Sequence, residues 1–145
     1  MDLPRILTSS AVASLLTLAA CTTTTPATTT RSPAQAELSD SARALHENAR
    51  LLASRADAEV RPAFTADAHE LEQRSYDFSQ AVASGRASDS ELRADFESVS
   101  RSYHRLRNDV EQANSQQARA DLDLVKGPYR DVAARMGEPD GAAGS

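Results

Sequence analysis

Four times along the chain, side chains that are mostly apolar recur at steps of four, three, four, three and four residues. The first set is Leu38, Ala42, Leu45, Ala49, Leu52 and Ala56; the second is Phe64, Ala68, Leu71, Ser75, Phe78 and Val82. The third is Leu92, Phe96, Val99, Tyr103, Leu106 and Val110, and the fourth is Ala118, Leu122, Val125, Tyr129, Val132 and Met136. Only a helix gathers residues of that spacing on one stripe, because each residue turns an α-helix by about 100°. The third set carries Phe96 and Tyr103 and is the element against which the others are expected to pack.

Four stripes of equal length predict four helices of about 20 to 24 residues, each about 30 to 36 Å long. Short connections force sequential neighbours to run antiparallel, so the expected fold is all-α, an antiparallel up-down four-helix bundle over residues 37–136. The breaks carry terminus chemistry. Pro62 suits a first helical turn, Gly85 suits a helix end, and Ser88 with Glu91 has the spacing of a capping box. Asn114 and Ser115 mark the weakest break, where the third stripe gives way to a fourth in a different register. Gly127 and Pro128 fall inside the fourth stripe and predict a kink or split there, since proline removes a helical hydrogen bond. The same near-3.5 period also suits an oligomeric helical coiled coil, in which the stripes need partner chains.

Composition narrows the core. Aromatics make up 4% of the residues and tryptophan is absent, so the interior must be built from Leu, Val and much Ala. Small side chains let helices approach closely and leave little to hold a roomy cavity open. A net charge of -5 argues against nucleic acid as a partner, because displacing phosphate counterions needs clustered positive charge. The single cysteine excludes an internal disulfide.

That cysteine, Cys21, ends a different kind of segment. Residues 1–5 carry one basic side chain, Arg5, and residues 6–20 are mainly apolar, a run too short for a comfortable membrane span of about 20 residues. The quartet Leu18, Ala19, Ala20 and Cys21 resembles the lipobox of bacterial lipoproteins. The resemblance implies removal of a signal peptide, residues 1–20, diacylglycerol on the Cys21 sulfur, and acylation of the new amino terminus. Several acyl chains on one residue hold a protein to a membrane far better than one. Thr22, where an acidic residue would favour the inner membrane by analogy with enteric lipoproteins, points to the outer membrane, facing the periplasm. Residues 21–36, rich in Thr with Pro26 and Pro33, have no apolar side to bury and are expected to form a disordered tether. Residues 137–145, with Gly137, Pro139, Gly141 and Gly144, are expected to form a loose tail.

No catalytic or metal-ligating constellation stands out. Helix bundles that hold metals use inward Glu-x-x-His pairs, and none occurs; His69 and Glu72 have the inverse spacing. His46, His69 and His104 each follow a stripe residue, which turns them toward solvent. Asp67 with Glu70, and Asp121 with Asp123, read as solvated acidic faces. Tyr103, Tyr129 and Ser75 are the stripe positions that bear a polar group; they could line a small polar pocket, but a stripe tyrosine more often directs its hydroxyl to the bundle rim. The expected protein is therefore a non-catalytic, lipid-anchored envelope protein without a cofactor. It binds the membrane through lipid at Cys21 and acts on another envelope protein, with a homo-oligomer as a further possibility. The alternative is a periplasmic bundle that binds a small molecule or metal between its helices.

Overall fold

The computed structural model describes residues 31–58 and 62–138. The segment expected to be a signal peptide, Cys21 and the expected tether up to residue 30 lie outside them, as do the residues from 139 onward. Among the described residues there are four helices and no strand: α1 (Pro33–Ala56), α2 (Pro62–Ser84), α3 (Asp89–Ala113) and α4 (Gln116–Met136). None is long and apolar enough to cross a membrane.

Local chemistry sets the ends. Ser32 caps α1, its hydroxyl accepting from the Gln35 N–H while the Gln35 side chain accepts from the Ser32 N–H. Pro33 then occupies the first turn, where a missing N–H costs nothing. The helix thus starts four residues ahead of residue 37, inside the expected tether, because this proline opens a helix instead of interrupting one. Ser88 and Glu91 form the expected reciprocal box on α3, and Gly85 at φ +62 closes α2. The break at Asn114 and Ser115 is better made than its sequence suggested. Asn114 takes the left-handed conformation at φ 48, which asparagine tolerates better than most residues, and the Ser115 hydroxyl accepts from the Ala118 N–H to begin α4.

α4 runs unbroken through Pro128; it does not split. A single proline removes one hydrogen bond, and the buried neighbours Val125, Tyr129 and Val132 hold the turns on either side to the core. Gly137, at φ +77, ends the helix with its N–H on the Ala134 carbonyl, and the Glu138 N–H reaches the Ala133 carbonyl. These two residues belong to the helix cap and not to a loose tail.

The stripes close on one another. Every stripe position is buried except Leu38, Leu92 and Met136, which are half-buried and pack against the core. Each helix touches two neighbours, in the cyclic order α1, α2, α3, α4 and back to α1. Cross-links fix the directions: Arg31, just ahead of α1, donates to the Ala83 carbonyl near the end of α2, and Glu37 near the start of α1 pairs with Arg135 near the end of α4 at 2.6 Å. The protein is an all-α four-helix bundle.

The four seams are unequal, and the side chains explain why. α1 presents Ala42, Ala49, Ala53 and Ala56 to the interior, so its backbone packs closely on both α2 and α4. Between α3 and α4 stand the rings of Phe96, Tyr103 and Tyr129, which keep the two backbones apart and make this the seam with the least backbone contact.

Candidate functional site

Polar chemistry is gathered along the seams, each with its own group of side chains. On the α3–α4 seam, Tyr103 and Tyr129 stack with ring centroids 4.0 Å apart and planes 14° from parallel. Phe96 extends the stack, 5.8 Å from Tyr129. The Tyr129 hydroxyl lies 2.8 Å from Ser100 Oγ and 3.4 Å from His104 Nε2. Burial lowers the pKa of His104, and the neighbouring Arg107 lowers it further, so its imidazole is neutral at pH 7. Burial raises the Tyr103 phenol. Tyr103, Tyr129 and Ser75 do not line a polar pocket together. The two tyrosines fill the space with each other, and Ser75 donates to the Glu72 carbonyl of its own helix, 2.8 Å away.

On the α1–α4 seam, Asp121 is 1% exposed and accepts from Arg55 at 2.7 Å and from the Gln117 amide at 3.1 Å. The solvated face expected for Asp121 with Asp123 is therefore half wrong. Asp123 is exposed, but Asp121 sits one step from Leu122 on the flank that α1 covers, and Arg55 satisfies its charge there.

The α2–α3 seam holds a second acid that sequence placed in solvent. The Asp67 side chain is only 14% exposed. Burial, and after it the neighbouring Asp109 carboxylate, raises its pKa to about 6, against a smaller opposing pull from Arg105. Arg105 stands 3.7 Å from Asp67 and pairs with Glu70, while Ser102 Oγ donates to the Ser98 carbonyl at 3.1 Å.

On the α1–α2 flank lies an open depression of about 760 Å³, lined among others by His46, Arg50, His69, Glu72 and Tyr76. His46 packs edge-on against Tyr76 with centroids 5.2 Å apart. His69 bridges the Asp57 and Glu72 carboxylates at 2.8 and 3.3 Å; the hydrogen bond to Asp57 raises its pKa, desolvation opposes this, and Glu72 adds to the rise. No family model, curated protein or solved structure matches the chain.

The three histidines stay on three helices, with His46 and His69 lining the same depression and His104 on the α3–α4 seam; among the described residues no group of three or more His, Cys, Asp or Glu side chains is placed to hold a metal ion. They are exposed or partly packed, as the spacing implies. His69 is exposed, while His46 and His104 are half-buried, and the Nδ1 atom of each of these two is closed off from water without a hydrogen-bond partner. A residue next to a stripe lies on a seam or on the outer face according to which neighbouring helix covers it. Cys21, the expected lipid anchor, lies outside the described residues. Arg55 was not singled out by the sequence, and Asp67 was read as part of a solvated face. Only Asp121 carried a hint, as an acid directly before a stripe leucine with a glutamine four residues earlier.

Proposed function

We propose that this protein is a lipid-anchored component of a bacterial cell envelope, held at the outer membrane through Cys21, whose periplasmic bundle recognises another envelope protein without catalysis. The anchor rests on the quartet Leu18, Ala19, Ala20 and Cys21 at the end of a run of mainly apolar residues. One observation supports recognition by outer faces over enclosure of a ligand: the interior is filled by the chain's own side chains. Alanines draw α1 against both neighbours, and the Tyr103–Tyr129 stack occupies the one wide seam. Acyl chains on Cys21 supply membrane affinity in proportion to the CH₂ groups they bury, about 0.8 kcal/mol each, and leave the bundle free to carry the contact surface.

The test has two parts. Wild type and Cys21→Ser are expressed in a bacterium fed an alkynyl fatty acid, and envelopes are fractionated on a density gradient. Label on wild type alone, in the outer-membrane fraction, is the expected result; an unlabelled, released wild type would overturn the anchor. A photo-crosslinking residue is then placed at the exposed positions Leu51 and Tyr76, 47% and 44% exposed. A discrete crosslinked band, identified by mass spectrometry as an envelope protein, is expected at one of them. Monomer alone at both would count against the recognition role.

A further inference from the structure

The open depression on the α1–α2 flank is lined by charges that are unequally engaged. Both of its acids already have cations: His69 stands 3.3 Å from Glu72, and Arg105 of α3 pairs with Glu70, which Arg74 also approaches to 3.9 Å. Gln73 donates its amide to Asp77 at 2.9 Å. Arg50 is exposed and makes no ion pair or side-chain hydrogen bond among the described residues, so its guanidinium presents a planar fork of N–H donors to solvent. His46 lies one turn back on the same face of α1 and packs edge-on against Tyr76 of α2, ring centroids 5.2 Å apart. That contact fixes the Tyr76 ring and still leaves the residue 44% exposed. Tyr76 and Leu51 are the large apolar side chains exposed among the described residues, and of the two Tyr76 lines this depression. One cation without a counter-charge and one fixed aromatic surface are therefore held in the same hollow.

We infer that this depression is where the envelope protein docks, setting a single carboxylate on Arg50 and an apolar side chain against the Tyr76 ring. The inference rests on the recognition role proposed above and adds to it a face of the bundle and the chemistry of the partner. A carboxylate matches the guanidinium fork through two parallel N–H···O bonds. The Tyr76 ring, already held by His46, has little freedom left to lose on contact. Charge also limits the form of the partner. The chain's net charge of -5 repels a run of acids, while screening confines the attraction of Arg50 to about 8 Å at physiological salt. The segment that fits thus carries one acid flanked by apolar residues, not an acidic tract. Arg50 and Tyr76 each stand inside a continuous helix, so the surface is formed before the partner arrives.

The probe is N-acetyl-Leu-Glu-Leu-amide, with a control peptide that has glutamine in place of glutamate, titrated into the full chain in non-ionic detergent and followed by amide resonances. Shifts centred on Arg50 and Tyr76 are expected, with the glutamate peptide binding about fivefold tighter than the glutamine peptide. Arg50→Gln should remove that preference. Equal binding of the two peptides, or shifts as large around the exposed Arg93 and Arg130 as around Arg50, would overturn the carboxylate site. In cells, a photo-crosslinking residue at Gln73 should yield the same envelope-protein band as one at Tyr76. Arg50→Glu should weaken that band about fivefold, and Arg93→Glu should leave it unchanged. A band at Leu51 with none at Gln73, or a Gln73 band indifferent to Arg50→Glu, overturns this docking face and leaves the recognition role standing. No band at Leu51, Gln73 or Tyr76 overturns both.

Discussion

Tyr103 and Tyr129 lie face to face across the α3–α4 seam, 4.0 Å between ring centroids, so that one aromatic pair sets the spacing of two helices. The pair stands where a bundle made only of Leu, Val and Ala would draw together. Its energetics separate into a packing part and a hydrogen-bond part, because the Tyr129 hydroxyl also meets Ser100 at 2.8 Å.

Tyr129→Phe keeps the stack and removes the hydroxyl, and is expected to cost about 1 kcal/mol. Tyr129→Ala removes the ring from the same site and is expected to cost about 3 to 4 kcal/mol, the range for deleting a buried aromatic. Urea unfolding followed by circular dichroism checks both. Equal losses for the two variants would mean that the stack contributes nothing beyond its hydroxyl.

The Arg55–Asp121 pair joins an exposed cation to an acid that is 1% exposed. Arg55→Met leaves that acid with Gln117 alone and is expected to destabilise by about 1 to 3 kcal/mol, less than for a fully buried pair because Arg55 is open to water. Adding Asp121→Leu should recover most of the loss, since apolar replacements of buried pairs are often neutral. A double variant no more stable than Arg55→Met would show that the acid carries no penalty when unpaired.

Ala49 and Ala53 are buried where α1 packs closely on its neighbours. Enlarging either to Leu is expected to destabilise by about 1 to 3 kcal/mol, the cost of overfilling a packed interior. Ser54 and Arg50, exposed on the same helix, serve as controls and should accept Leu within about 0.5 kcal/mol.

The pH dependence has a defined sign. His69 is held charged by Asp57 and then by Glu72, so its folded pKa lies above 6.5. The stability it contributes is fully present below 6.5 and fades as pH rises through the higher folded value. His104 runs the other way: burial keeps it neutral, so folding opposes its protonation, and stability falls as pH drops through its unfolded pKa. In thermal melts between pH 5 and 8, His69→Gln should flatten the decline on the alkaline side, and His104→Gln should remove a loss on the acid side. Histidine ring resonances that titrate in the opposite order would overturn both assignments.

The stripes carried nearly all the fold, because burial at four-three spacing is a property of each helix by itself. What the spacing omitted is equally regular. Ala53, Ser102, Asp121 and Ala133 are buried, and each stands immediately beside a stripe residue, on the flank that a neighbouring helix covers. A real bundle buries a wider strip than one seam, and which flank is covered depends on the cyclic order of helices. Polar contacts were less legible for a related reason. Arg105 approaches Asp67, and Arg55 meets Asp121, through the axial register of two helices, and no local pattern encodes register. Pro33 misled because a proline reads alike at the start of a helix and in an extended tether. The capping oxygen of Ser32 and the Gln35 side chain, three residues apart, were the signal that distinguished the two.

Arg135 reaches from the last turns of α4 to Glu37 and Ser41 in the early turns of α1, at 2.6 and 3.0 Å. The two ends of the bundle's chain therefore leave it side by side. Tension applied between them would not slide α1 along α4 with every contact loaded at once. It would peel the seam from that end, with the Arg135 bonds failing before the force reaches Arg55 and Asp121, so that the bundle is mechanically soft in the one direction in which its own chain pulls.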